Sequence, residues 1–334
     1  MKLALVAVQL EVSMDVLASG DAYRAYLEAT CAQAMDDAGD ADEVLIVYPE
    51  LAGHLALLAL APPAAHKAKT LGAALAASAV RKPFEVLRGV ATTRVLDPKQ
   101  AVLAAIAPEG DRYWRGVFGP LARKHGAYVV AGSHLRLAPN GDLTNASCTF
   151  APDGRLLSTT DKVNLVPGME DRAPKALGLA RGEIERLPIV ETRFGKLTTL
   201  ICYDAFREPH SIEERFEPIA PRVHARGGCT VVANPAANPW RWAQAWPPPR
   251  FVGKTRDVSE RTREAQWNGE GLPASLAEVP FARWGVTAHL VGKVLDLEFD
   301  GQSEIVERVD GAVRRLARAE RPDRGGHMVA TVTC

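Results

Sequence analysis

The sequence contains few cysteines, no excess of either charge and no long hydrophobic run. Five cysteines are scattered over 334 residues, and 40 basic side chains balance 40 acidic ones. Without a Cys-x-x-Cys pair or a histidine cluster, these cysteines argue against a disulfide framework and a metal site, so we expect a reduced, cytoplasmic protein. The balanced charge, with no basic block, argues against nucleic acid or a membrane as a partner.

Several familiar catalytic motifs are also missing. There is no Gly-x-Ser-x-Gly, no His-Glu-x-x-His and no glycine-rich dinucleotide fingerprint after a predicted strand. The first apolar run, residues 3–8, ends at Gln9 without a small-residue cleavage site and therefore predicts a buried strand, not a signal peptide. None of these motifs therefore supplies a candidate site.

Short apolar runs alternate with turn signals and helical stretches, a pattern that is typical of an α/β fold. Strands are predicted at residues 3–8, 44–48, 128–131, 147–150, 155–158, 197–201 and 230–233, and helices at 21–38 and 112–125. Two segments differ from this pattern. Residues 55–107 are rich in Ala and Leu and predict outer helices, whereas residues 234–250 hold three tryptophans and five prolines and predict an irregular loop.

Three polar residues stand at the ends of apolar runs: Glu50, Lys162 and Cys202. Each alone has an ordinary explanation, since a strand-end Glu or Lys is usually solvated and a lone Cys is usually a small buried hydrophobe. Together they supply a base, a cation and a nucleophile, which are the parts of a thiol acyl-transfer site.

The segments around these residues, VYPEL at 47–51, DKVNL at 161–165 and LICYD at 200–204, resemble the nitrilase superfamily of carbon–nitrogen hydrolases. That family uses a Glu-Lys-Cys triad in this chain order. The resemblance implies a four-layer αββα sandwich, with residues 1–334 as one domain and residues 55–107 as an inserted helical region. It also implies a homodimer or larger homo-oligomer, formed through helices that include residues 209–226.

The resemblance further implies a role for each site residue. Cys202 would attack the substrate, Glu50 would be the general base, and Lys162 with the Tyr203 backbone N–H would bind the oxyanion. Glu170 resembles a second family glutamate that orients substrate or water, and no metal or cofactor is required. Supporting residues Asp204 and Arg207 are expected to form structural salt bridges.

The substrate is less closely defined than the chemistry. An amide or N-carbamoyl compound is favoured over a nitrile, because true nitrilases carry Trp-Glu after the cysteine and this chain carries Tyr203-Asp204. Acyl transfer to an amine and a non-catalytic scaffold remain alternatives. Asn234, Trp240 and Trp242 are predicted to contact the substrate, although the tryptophans are also suited to a subunit interface.

Overall fold

The computed structural model describes residues 1–81, 84, 86, 97–173, 176–247 and 261–334. Its strands are β1 (Lys2–Val12), β2 (Glu43–Val47), β3 (Tyr128–Val130), β4 (His134–Leu137), β5 (Leu143–Phe150), β6 (Leu156–Asp161), β7 (Ile189–Thr192), β8 (Gly195–Thr199), β9 (Cys229–Ala237), β10 (Ala245–Trp246), β11 (Arg261–Thr262), β12 (Ala282–Val294), β13 (Leu297–Phe299), β14 (Glu304–Val309), β15 (Ala312–Arg318) and β16 (Gly326–Thr333). Its helices are α1 (Gly20–Ala38), α2 (Ala52–Ala59), α3 (Pro63–His66), α4 (Leu71–Arg81), α5 (Pro98–His125), α6 (Ile219–Ala225), α7 (Arg263–Glu270) and α8 (Leu272–Glu278). None of these helices is long and apolar enough to cross a membrane.

One large sheet curls into two halves that are joined at β1. The central order is β4-β5-β3-β2-β1-β12-β9-β8-β7. Strand β1 pairs with β2 on one edge, and on its other edge it pairs first with β16 and then, through Leu10, Glu11 and Val12, with β12. The two halves of the sheet therefore share one strand and fold over each other.

Alternation along β1 shows how the layers form. Leu3, Leu5 and Ala7 point into the core between the two halves, whereas the residues between them face α1 and α5. Both faces are buried, which explains the unbroken apolar run in the sequence. Helices α6 and α8 cover the outer face of the second half. The order of layers is helix, sheet, sheet, helix, and the predicted αββα sandwich is confirmed.

The predicted elements are present, but some have different limits. Strand β9 continues to Ala237, so the first part of the predicted aromatic loop is a strand. Helix α5 begins at Pro98, well before the predicted residue 112, although it contains Pro108 and Pro120. The described part of residues 55–107 is mainly helical. Its status as an insertion stays a prediction.

The expected helix over residues 209–226 needs a correction, because only Ile219–Ala225 is helical. Pro218 disfavours helical geometry at Glu217, and the Asn164 side chain bonds both backbone groups of Glu217 at 2.9 Å. These contacts fix an extended backbone before the helix. The proposed role of this segment in dimerisation remains a prediction.

The topology brings the three predicted site segments to one edge. Strands β1, β2, β3, β8, β9 and β12 run parallel, and β6 shares their direction because it is separated from β3 by two antiparallel pairings. Glu50, Lys162 and Cys202 follow β2, β6 and β8. All three therefore stand at the carboxyl edge of the sheet.

The core between the two halves should carry much of the stability. We expect Val286→Ala, at a fully buried site in β12, to lower the free energy of unfolding by about 2 kcal/mol, because two buried methyl groups are lost and a cavity is left. Val309→Ala makes the same chemical change at a 40% exposed position and should cost under about 0.5 kcal/mol. Urea denaturation measures both values, and equal losses would contradict this layer assignment.

Candidate active site

The backbone around Glu50 is held by the neighbouring β3–β4 connection. Gly132 has φ +53°, and a Cβ there would lie 2.1 Å from the Pro49 carbonyl oxygen, so only glycine allows this approach. The Ser133 hydroxyl oxygen accepts a hydrogen bond from the Leu51 backbone N–H at 3.0 Å. Glu50 is thus placed at the beginning of α2, with its carboxylate buried.

Lys162 lies between two carboxylates. Its Nζ donates to Glu50 Oε1 at 2.7 Å and to Glu170 Oε2 at 2.6 Å, and the side chain is only 1% exposed. Burial alone lowers the pKa of Lys162, but the charges of Glu170 and Glu50 outweigh it and raise this pKa well above its usual range. The lysine is therefore a permanent cation in a buried site.

Two further groups complete the network. The Asn145 amide, from β5, donates to Glu50 Oε1 at 2.9 Å and to Glu170 Oε1 at 3.1 Å. The Val166 backbone N–H donates to Glu170 Oε2 at 2.9 Å. Burial raises the pKa of Glu50, Lys162 lowers it and the Glu170 charge raises it again. The net effect is upward, so Glu50 accepts a proton more readily than an exposed carboxylate does.

Cys202 begins a 3₁₀ turn, Cys202–Ala205, in a backbone conformation that is unusual for a side-chain-bearing residue. Its φ is +50°, a conformation that costs about 1–3 kcal/mol and persists only where surrounding bonds impose it. Asn234 imposes it, because its amide donates to the carbonyls of Leu200 at 2.7 Å and Cys202 at 3.2 Å. The Cys202 thiol itself donates to the Ala237 carbonyl at 3.5 Å.

The thiol is protonated at neutral pH. Burial raises the pKa of Cys202, the neighbouring Glu50 carboxylate raises it further, and Lys162 opposes both. The thiol and the Glu50 carboxylate each affect the pKa of the other, so the two groups lie close together. The thiol therefore keeps its proton, and Glu50 is a nearby carboxylate whose raised pKa suits it to accept that proton.

Among the residues that the structure describes, Asp204 has no partner for the expected salt bridge. Its carboxylate accepts hydrogen bonds from the backbone N–H groups of Val163 at 3.2 Å and Asn164 at 2.6 Å. These bonds join the turn that begins at Cys202 to the residues that follow Lys162. Burial raises the pKa of Asp204 to about 7. Arg207 does form ion pairs, with Glu208 and Glu278 at 3.5 and 3.4 Å.

A cavity of about 380 Å³ contains the network and the thiol, and Glu50, Lys162, Glu170, Cys202, Tyr203 and Trp240 line it. Asn234 and Trp242 lie behind the cavity wall. The Asn234 amide donates its hydrogen bonds to backbone carbonyls. Trp242 packs against Trp267 and His289. Neither residue is among the described lining residues of the cavity, and their expected contacts with the substrate stay a prediction.

Sequence reasoning missed Asn145, His54 and Arg263. Asn145 is one amide within a strand, and His54 and Arg263 belong to no recognised motif. Arg263 is 3% exposed, lines the cavity, and has its guanidinium carbon 4.8 Å and 4.1 Å from the ring centres of Trp240 and Trp246. Burial lowers its pKa to about 9. The Arg263 cation therefore lies against Trp240 and Trp246 at the cavity.

A comparison of the sequence with known protein families shows which family the chain belongs to. A sequence profile described as carbon–nitrogen hydrolase matches residues 29–208, more than half of the chain. The chain belongs to the carbon–nitrogen hydrolase family. The predicted relationship to the nitrilase superfamily is thereby confirmed. A comparison with curated proteins finds no match.

Solved structures of this carbon–nitrogen hydrolase family share the fold. A carbon–nitrogen hydrolase from Helicobacter pylori G27 aligns with TM-score 0.61 and 14% identity over 100% of this chain and 90% of that one. A double mutant of the Nesterenkonia sp. AN1 amidase in complex with acrylamide aligns with TM-score 0.58 and 18% identity, over 100% of this chain and 90% of that one. Another mutant of that amidase carries the acetamide moiety of fluoroacetamide on its active-site cysteine. It aligns with TM-score 0.60 and 18% identity, over 99% of this chain and 90% of that one.

The lysine network predicts a pH-dependent stability effect. Lys162→Met leaves Glu50 and Glu170 as adjacent buried anions, so we expect a loss of about 3–5 kcal/mol at pH 8. Lys162 lowers the pKa of Glu50, so without the lysine Glu50 binds a proton more readily, and its protonation at pH 5 should reduce the loss. Denaturant unfolding at the two pH values measures it.

Lys2→Met is the matched control, since Lys2 is 58% exposed and its 3.4 Å pair with Asp40 is worth at most about 1 kcal/mol. A loss for Lys162→Met that matches this control, or that grows as pH falls, would contradict the buried network.

Proposed function

We propose that this protein hydrolyses the carbon–nitrogen bond of an amide or N-carbamoyl compound through a thioester on Cys202. The observation that supports this most strongly is the shared cavity, in which a buried thiol faces a carboxylate that is bonded to a permanent cation. Burying the charges of Lys162, Glu50 and Glu170 is costly, and a protein that served only as a scaffold would gain nothing from that cost.

In the first half-reaction, Cys202 Sγ attacks the carbonyl carbon while its proton moves to Glu50. The carbonyl π electrons move to oxygen and form a tetrahedral oxyanion. When the oxyanion collapses, the carbon–nitrogen bond breaks and Glu50 returns the proton to the departing nitrogen. Ammonia or an amine leaves, and the acyl group remains on sulfur.

In the second half-reaction, Glu50 takes a proton from water as the hydroxyl oxygen attacks the thioester carbon. The carbon–sulfur bond then breaks, the acid is released, and Glu50 returns the proton to the cysteine. One carboxylate therefore serves both steps, which requires a pKa above that of an exposed glutamate.

The oxyanion needs donors that are already in place. Lys162 is a fixed cation at the cavity wall, and the Tyr203 backbone N–H directly follows the nucleophile. We assign both to the oxyanion. Glu170 lines the same cavity and is assigned to orienting the substrate nitrogen or the water.

A substrate panel tests the proposed function. Amides and N-carbamoyl compounds should release ammonia or amine, nitriles should react less, and Cys202→Ala should lower kcat by about 10⁴-fold or more, because no nucleophile remains. The measurement is ammonia and amine release by the wild type and the variant.

Cys148→Ala is the control, since Cys148 is buried in β5 and is not among the lining residues of the cavity. Full activity in Cys202→Ala, or loss of activity only in Cys148→Ala, would contradict the assignment.

The role of Glu50 is tested separately. Glu50→Gln keeps the shape of the side chain but cannot carry the proton, so kcat/KM should fall by about 10²–10⁴-fold. Glu185→Gln, at an exposed position, makes the same change without effect. Steady-state kinetics on one amide measures both variants. Retained activity in Glu50→Gln would assign the proton transfer to another group.

A further inference from the structure

We infer that the acyl part of the substrate is an unbranched aliphatic chain that lies in an apolar arm of the active-site cavity. The arm is the part lined by helices α2, α4 and α5, and six of its residues are Leu51, Leu55, Leu58, Leu75, Leu103 and Ile106. This inference rests on the proposed function, because it takes Cys202 as the point at which the acyl group is attached.

The stripe along α2 gives the arm its direction. Leu55 and Leu58 are three residues apart, so they share one face of α2, and Leu51 stands just before the helix. All three line the cavity, Leu51 directly follows Glu50, and the helix rises roughly 9 Å from Ala52 to Leu58. The apolar stripe therefore leads from the catalytic carboxylate away along the helix axis.

The charged lining residues gather at the other end. Glu50, Lys162 and Glu170 each affect the pKa of Cys202, and Arg263 interacts electrostatically with the same thiol. The α4 and α5 residues that line the arm carry no charge, and the Ser78 hydroxyl donates back to the Ala74 carbonyl at 3.0 Å. On α2 the polar lining residue is His54, whose pKa is affected by Lys162, so it lies toward the charged end of the cavity. Polar groups on the substrate are thus bound near sulfur and not between α4 and α5.

The cavity is also larger than a short amide requires. Its volume is about 380 Å³, whereas a protein cavity of roughly 150 Å³ already accommodates benzene. A second cavity of about 290 Å³ shares the lining residues Leu57, Ala61, Ser78 and Ile106 with the first, so the two cavities are neighbours. Leu and Ile walls accept methylene groups without leaving polar atoms unsatisfied.

Burial of apolar surface sets the expected gain. Each methylene that enters the arm should tighten binding about fourfold. The test is isothermal titration of the full-length Cys202→Ala protein with butanamide, hexanamide and octanamide, which measures binding without turnover. Affinity should rise roughly 15-fold between successive amides, with a negative heat-capacity change.

Two tryptophan substitutions on one helix locate the effect. Leu75→Trp fills the arm and should remove most of the gain from butanamide to octanamide. Ala76→Trp adds the same side chain on the exposed face of α4 and should leave the gain intact. If Leu75→Trp does not fold, Leu58→Asn gives the second test, since a polar amide in the arm should reduce the gain per methylene.

Affinity that stays flat or falls with chain length overturns the inference, as does tighter binding of a phenylalkyl amide with the same number of carbons as octanamide. Wild-type hydrolysis of acetamide separates the two claims. Acetamide turnover without a gain in affinity with chain length supports the proposed function and contradicts the binding of an aliphatic chain in the arm. A gain in affinity without turnover of any amide supports chain binding in the arm and contradicts the proposed function.

Discussion

The active site depends on one buried ammonium group between two carboxylates. Lys162 follows β6, Glu50 follows β2 and Glu170 lies in the loop beyond the lysine, so the bonds at 2.7 and 2.6 Å hold three segments together. Charges buried from water are costly when unpaired, and Asn145 and the Val166 N–H supply the remaining donors. The carboxyl edge of the sheet can therefore hold a charged network within an apolar interior.

The same network explains why the cysteine need not be ionised in advance. Two carboxylates and one ammonium leave the site with an excess negative charge, which disfavours a thiolate nearby. Glu50 has a raised pKa and lies near the thiol, so in the proposed function proton transfer and sulfur attack belong to one step. Asn234 and Asp204 contribute by position, because they fix the backbone on either side of Cys202.

The sequence predicted the residues that follow apolar strands but not the hydrogen bonds by which Asn145 and Asn234 support them. Glu50, Lys162 and Cys202 each end a hydrophobic run, and strand ends of parallel sheets meet at one edge. Asn145 and Asn234 occur singly inside strands, where no spacing distinguishes an amide that bonds a catalytic group. Asn234 also stands next to Pro235, which suggested a loop. Strand β8 pairs with β9 only as far as Ala233, so the proline removes no bond on that side.

A thioester on Cys202 is the central claim, and it can be observed directly. Wild-type protein mixed with excess hexanamide at neutral pH, quenched in acid at successive times and measured by intact mass, should gain one hexanoyl group in place of one hydrogen. Peptide mapping should place that group on Cys202. Continued hexanamide turnover with no acylated protein at any quench time, or a hexanoyl group on Cys148 or Cys229, would contradict the account.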